Sequence, residues 1–585
     1  MFKKKVLVVC MLLMITTVAL AQYDVVVTSS FSPTISDAQQ KINEKANIVD
    51  TNTIKKEVTY NIYSPAYISK FMPEPIAAPK VGTDQIVRLY RNFIKFGFGY
   101  PWTPYLDFEV NNLRSTRYAF GVKAFHHSTW GKIKGYAPAQ HSDTRIGVFG
   151  QKFFDDYTLF ASVDYNHLMA TYYGFNPDSI TSIVFDSGIR GKSIRNQYHH
   201  VRTQVDFSRN APKDAHVFNQ FYGIDYNIVT DNNTGTNEHQ LAFKTDLNKD
   251  IKVAKITYLN LGGEIGVNYY HNQWREMYSP PDDVTLNIKP YASLNYKEYF
   301  LKAGFNIVML FPNDEREKTK AFFYPDIQAR LHIVPNIFTL YAGIDGGLRR
   351  NSYLSYIQEN PYLYDVLFTG FMNEKLRAFG GVKIGLSRSL SIGAKISYSI
   401  CDDMPFFINE LWNGSFVPEP YSHLNALFDV IFDNSKWLNL HFDMSYTYKQ
   451  QLYLTLNLDY NKYWTSENLL KPWYKPAFVA NLDMRYTLLS KFVFNLSTFV
   501  HTGIPYPEFV ESDIYEWNIR PKTLRPAFDF NFGFEYLWSK RLSLFANVNN
   551  FIGLRNFYYY DYPSQRVNIL IGVKYNFGGE SSSKR

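Results

Sequence analysis

The chain has 585 residues and 68.2 kDa, with 46 Tyr, 47 Phe and 9 Trp but only 19% charged residues. Its mean hydropathy is −0.26 and its formal charge +8, a mild excess that gives no basis for a nucleic-acid partner. High aromatic content, low charge and no overall hydrophobicity exclude an ordinary cytosolic enzyme. They suit a barrel with an apolar, aromatic-girdled exterior and a polar interior.

The N-terminus, MFKKKVLVVCMLLMITTVALAQ, carries a basic Lys3-Lys4-Lys5 region, an apolar run from Val6 to Ile15 and an Ala19-Leu20-Ala21 cleavage site. Residues 1–21 are therefore read as a signal peptide, and export as the chain's route. Cleavage leaves a mature charge of +5 and one cysteine, Cys401, so no internal disulfide forms. No later segment offers the ~18 consecutive apolar residues of a transmembrane helix.

Residues 22–86 are polar and poorly periodic, with Pro73, Pro75 and Pro79 in FMPEPIAAPKVG. Proline removes backbone donors and favours extended structure. This segment is read as an extended leader with one short helix near Ser36–Lys45. It either occludes the lumen or stays in the periplasm and holds a partner.

From about Asn92 the sequence becomes strand, short turn, strand, longer loop, repeated to Phe577. In RPAFDFNFGFEYLW, Phe528, Phe530, Phe532, Phe534 and Tyr536 alternate with Asp529, Asn531, Gly533 and Glu535. Alternation at period two sends successive side chains to opposite faces of a strand. The segments 438–446, 452–460, 478–486 and 567–577 repeat the pattern. Short connections fall at 154–157, 334–336, 387–389, 489–491 and 538–541. Long ones fall at 130–143, 174–195, 350–374, 402–420, 503–523 and 552–566. Strands of ten or more residues with turns of two lengths predict an all-β fold, a transmembrane antiparallel barrel over 87–577. A polar tail, 578–585, follows. A direct tally gives 23 strands, with an orientation conflict between 401 and 465. Two periplasmic ends require an even number, so 22 are expected.

Catalytic constellations are missing: there is no G-x-S-x-G elbow, H-E-x-x-H helix or P-loop. His126 and His127 are neighbours on one strand and so point to opposite faces, as do His199 and His200. DNNTGTNE at 231–238 lacks the spacing of a calcium loop. The expectation is no enzyme, no cofactor and no metal. Charges opposite the apolar faces are expected to line the lumen: Asp164, Arg202, Asp206, Asp443, Asp459, Asp483, Arg485, Asp529 and Glu535. On the lipid side each would cost ~2–4 kcal/mol at midplane.

The stretch LSLFANVNNFIGLRNFYYYDYPSQRVNILIGVKYNF resembles the last two strands of TonB-dependent receptor barrels. NSYLSYIQENPYL and GGVKIGLSRSLSIGAKISYS are similar to mid-barrel segments of that family. GVKYNF resembles the signal by which the barrel-assembly machinery recognises its substrates, with Gly572, Tyr575 and Phe577 at its glycine and aromatic positions. The family carries a plug of well over a hundred residues before its barrel. Only about 70 mature residues precede the first strand here, so a plugless relative is expected and TonB coupling is not. The resemblance implies an outer-membrane channel, or the membrane component of a multi-protein assembly, among outer-membrane lipids. A surface lipoprotein or periplasmic partner would contact residues 22–86. A passive solute-selective porin, constricted by an inward loop at 350–374, is the alternative; an outer-membrane hydrolase is the remaining one.

Overall fold

The structure, a computed structural model, describes residues 92–578 with breaks at 113–114, 116, 176–194, 210–216, 233–234, 255–256, 275–279, 314–317, 364–368, 410–426, 450 and 512–516. The signal peptide, the leader with its predicted helix, and the tail beyond Gly578 lie outside the described residues.

The strands run in chain order. The first are β1 (Asn92–Tyr100), β2 (Thr103–Asn111), β3 (Tyr118–Lys132), β4 (Pro138–Phe153), β5 (Tyr157–Thr171), β6 (Arg195–Arg209) and β7 (Asn219–Asp231). Then come β8 (Asn237–Ala254), β9 (Thr257–Gln273), β10 (Asp283–Tyr296), β11 (Tyr299–Pro312), β12 (Lys320–Val334) and β13 (Phe338–Asn351). A short helix, α1 (Tyr353–Glu359), precedes β14 (Gly370–Gly385), β15 (Leu390–Asn409), β16 (Phe428–Tyr448), β17 (Leu452–Trp464), β18 (Phe478–Leu488) and β19 (Phe492–Thr502). Last are β20 (Pro505–Glu511), β21 (Trp517–Thr523), β22 (Ala527–Tyr536), β23 (Leu542–Asn549), β24 (Phe557–Tyr559), β25 (Tyr562–Pro563) and β26 (Asn568–Phe577).

Twenty-two of these strands form one antiparallel sheet, which closes because β1 pairs with β2 on one side and β26 on the other. Closure removes every sheet edge, which is what lipid demands of a spanning sheet. β20–β21 and β24–β25 are separate two-stranded hairpins. The conflict at 401–465 disappears because residues 428–448 form a single 21-residue strand between β15 and β17. The connection expected to be long at 130–143 is short, because β3 runs to Lys132 and β4 starts at Pro138. Asn92 pairs with Phe577 at one rim, the near rim. The turns at 154–156, 335–337, 386–389, 489–491 and 537–541 return the chain there, as does the nine-residue link 210–218, and every longer connection emerges at the far rim.

On β22 the aromatic ladder meets a second one on β19. Phe534 pairs with Phe494 and Tyr536 with Phe492, and the Phe492 and Tyr536 rings stack 5.3 Å apart. Phe528 and Phe532 remain about 40% exposed (38% and 40%), as a wall facing lipid requires. On the opposite face Glu535 accepts a hydrogen bond from Ser543 Oγ.

At the seam, Gly97 pairs with Gly572. A Cβ on Gly572 would overlap the Phe96 carbonyl oxygen and the Phe545 ring. Two glycines side by side leave a trough that Phe545 fills, with Tyr105 edge-on at 6.2 Å and Lys95 Nζ 4.6 Å from its centroid.

Candidate functional site

The far mouth is where long connections converge, and one of them crosses it. β13 ends at Asn351, and Ser352 caps α1. The Ser355 amide donates to Ser352 Oγ at 3.1 Å, while the Ser352 amide donates to Ser355 Oγ at 3.0 Å. The Asn360 amide closes the helix on the Tyr356 carbonyl at 2.7 Å, and Pro361 prevents its continuation. Tyr353, Tyr356 and Ile357 lie at helical spacing and are all buried.

Both walls hold this segment. On β8, the Glu238 side chain is 1% exposed; Oε2 accepts the Tyr353 amide at 2.8 Å and Oε1 the Leu354 amide at 3.2 Å. The Tyr353 hydroxyl donates to Asp231 Oδ2 at the end of β7, at 2.8 Å. Tyr198 on β6 donates to the Pro361 carbonyl at 3.1 Å, and Tyr172 to the Leu363 carbonyl at 2.6 Å. Across the barrel, the Phe428 amide at the start of β16 donates to the Tyr362 carbonyl at 3.0 Å, and Leu363 forms a parallel bridge with Phe428. Lys475 Nζ lies 2.5 Å from Glu359 Oε1, and Tyr559 donates to the Glu359 carbonyl at 2.7 Å. β7 and β16 stand nine places apart in a ring of 22, so residues 352–363 span the opening.

The strap is itself part of an apolar core, through Tyr353, Tyr356, Ile357 and Leu363. Tyr362 stacks on Tyr562 at 3.9 Å, and Phe428 packs edge-on against Tyr474 and Tyr559 at 5.2 and 5.1 Å. Trp274, Phe406, Phe407, Trp473, Ile504 and Leu524 complete it. Burial pushes the Tyr362 phenol up to about 12 and raises Tyr559 and Tyr562 as well, so these rings act as neutral hydrogen bonders. This core is drawn from the far-rim ends of several strands and from the connections beyond them.

The strap also identifies the inner face. Glu238, Asp231 and Tyr198 reach it from inside, so their faces of β8, β7 and β6 point inward. Leu241, Ile224 and Val205, on the alternate faces, are exposed.

The nine predicted lumen charges are spread along the wall in local sets. Asp164 pairs with Lys123 at 3.1 Å and stands opposite Arg202, whose Nε donates to Asp225 Oδ2 at 2.8 Å. Arg202 and Asp206 share the face of Tyr198 on β6, and Asp206 accepts from Gln204 at 2.6 Å. Asp443 and Asp459 flank His441 at 3.6 and 2.9 Å. Asp483 and Arg485 lie opposite Ser497 and Asn495, and Asp529 opposite Phe499. They are not brought together into one site. Gly572, Tyr575 and Phe577 all lie on β26, where the Tyr575 and Phe577 rings stack at 6.3 Å.

The inward loop considered at 350–374 is where the strap lies. Glu238 and Asp231 both fall in DNNTGTNE, which in sequence reads as a flexible extracellular loop without calcium-loop spacing and carries no sign of the segment they hold. The Ser352-x-x-Ser355 cap was the one local sign of structure there.

No protein-family model matches the chain, and no curated protein matches it. Solved structures do. The siderophore receptor PirA from Acinetobacter baumannii aligns at 10% identity over 83% of this chain and 80% of that one, TM-score 0.61. The pyoverdine outer-membrane receptor FpvA from Pseudomonas aeruginosa aligns at 11% identity over 83% and 78%, TM-score 0.59. The FrpB iron transporter from Neisseria meningitidis aligns at 10% identity over 85% and 82%, TM-score 0.57. At such identities the likeness is one of fold: this chain has the closed 22-stranded barrel architecture of outer-membrane receptors.

Proposed function

We propose that the chain is an outer-membrane transport barrel whose extracellular mouth is shut at rest by residues 352–363. The near rim, with Asn92 and Phe577, faces the periplasm and the far rim faces outward. Solute passes when the strap leaves Glu238 and Asp231. The observation that carries this reading is the strap itself, anchored to both walls. The likeness to receptors and a transporter of iron and siderophores supports transport as the barrel's task. The nine wall charges would hydrate the passage beneath the strap, and Gly572, Tyr575 and Phe577 would serve recognition by the barrel-assembly machinery.

A strapped mouth disfavours a passive porin, which needs a steadily open path. Planar-bilayer recordings decide between them. The full chain is expected to show rare openings, and a variant with 353–362 replaced by a Gly-Ser linker steady ones. Equal, steady conductance in both would overturn the closure.

We further propose that residues 22–86 hold a surface lipoprotein or periplasmic partner, making the barrel an assembly's membrane component. Co-purification with and without 22–86 tests this; an unchanged set of partners would sink it.

A further inference from the structure

We infer that the outer wall of β3–β9 carries, at its far rim, a docking belt for the phosphate groups of outer-leaflet lipid. This rests on the barrel spanning a membrane, and on no assumption about what it transports.

The belt follows from register. On β3 the exposed Phe120 and Trp130 fix the outward row, which includes His126, Ser128 and Lys132. On β5 the exposed Val163 places Tyr165 and His167 outward. On β6 Val205 does so for His199, Gln197 and Arg195. Leu241 on β8 and Tyr269 on β9 do so for His239 and His271. His126 pairs across with Thr144, Thr144 with His167, and His167 with His199, so three histidines share one row over four strands. His239 pairs directly with His271. Among the described strand residues, every outward-facing histidine of the barrel wall lies on β3–β9. The remaining rim presents aromatic residues such as Tyr460 and Trp464, with Lys462 and Lys436 on the same outward rows of β17 and β16.

The rings are ordered. The His167 and His199 centroids are 4.7 Å apart, and those of His239 and His271 5.7 Å. Tyr165 and Tyr226 hydroxyls lie 2.8 Å from His199 and His239 Nδ1. Arg195 stacks 5.2 Å over Trp130, with Nη2 donating to Gln140 Oε1 at 2.8 Å, so its guanidinium is held flat against the wall. Charge settles the occupant. The outward rows of β3–β9 contain no carboxylate: Asp143, Asp164, Asp206, Asp225, Asp231, Glu238, Asp246, Asp250 and Glu264 all fall on the inward rows. The acid bordering the belt is Asp282, 2.8 Å from His271 Nδ1. A rim of imidazoles, one guanidinium and the Lys132 ammonium, with no carboxylate on its outward rows and Asp282 only at its β9 end, set at the edge of an apolar wall, matches a lipid that brings acyl chains and phosphate together.

The test uses the full chain in detergent and native mass spectrometry with two single-chain probes, lysophosphatidic acid and lysophosphatidylcholine. Wild type is expected to retain the phosphate monoester lipid over the zwitterionic one. Arg195→Gln should weaken that retention about fivefold, as loss of one interfacial cation does, and His126→Asn/His167→Asn/His199→Asn should reduce it further. Lys462→Gln, on the opposite wall, should leave it unchanged. Soluble glycerol phosphate should not compete; effective competition would assign the site to free phosphate and overturn the proposal. So would equal retention of the two lipids by wild type, a readout that stands even if the triple variant fails to fold. Loss of strap-dependent conductance control without any change in lipid retention would overturn the transport reading alone.

Discussion

Glu238 and Tyr353, 115 residues apart in sequence, are joined by a 2.8 Å hydrogen bond from the Tyr353 amide to the Glu238 carboxylate. The same carboxylate also takes the Leu354 amide, so one buried side chain holds the first turn of α1. Hydrogen bonds to a charged group contribute ~1.5–3 kcal/mol. Glu238→Gln keeps the shape and removes the charge, and is expected to shift the strap toward release by roughly 10- to 100-fold. Bilayer open probability measures this. An unchanged open probability would remove Glu238 as the latch.

Tyr353→Phe deletes only the hydroxyl that donates to Asp231. The backbone bonds to Glu238 remain and one bond to a buried carboxylate is lost rather than two, so its effect should fall at the lower end of the range, about 1.5 kcal/mol. Because both residues act on one segment, the double variant should fall short of the sum of the two singles. Full additivity would mean that they hold separate elements.

The seam gives a folding prediction. Gly572→Val places a side chain where the Phe96 carbonyl and the Phe545 ring already sit, so closure of β1 on β26 should fail. The heat-resistant, fast-migrating band of a closed barrel should be lost on gels. Gly150→Ala, with open space around its Cβ, should run like wild type.

The β22 ladder gives an energetic one. Phe532→Arg puts a charge on the exposed aromatic face and should cost ~2–4 kcal/mol in urea unfolding from vesicles. Asn531→Arg, one residue earlier on the opposite face, should cost much less. Equal costs would mean that the two faces meet the same solvent.

The barrel was legible because its code is local. Period-two alternation in 528–536 depends only on neighbours in sequence, and each short turn announces itself in three or four residues. Register could be followed strand by strand until β15 and β16, where 20 and 21 residues of pairing continue through a bulge between Cys401 and Met404. A bulge breaks the alternation, so the end of β15 reads as part of the connection expected at 402–420, and the strand continues instead to Asn409. The strap was not legible in the same way. Its seven-residue helix is too short for a periodic signal, and what holds it comes from Asp231, Glu238, Phe428, Lys475 and Tyr559. Nothing within 350–374 names those partners.

The lengths of β15 and β16 bear on where visitors meet this protein. At ~3.4 Å per residue and a tilt near 40°, 21 residues rise about 50 Å, roughly twice the ~25 Å apolar band of such barrels. At β15 and β16 the wall therefore reaches well beyond the apolar band, which the 9- to 11-residue strands β1, β2, β18 and β19 do not. The strap is tied to the start of β16 at Phe428, so whatever approaches from that mouth meets the strap before it comes level with the acyl chains.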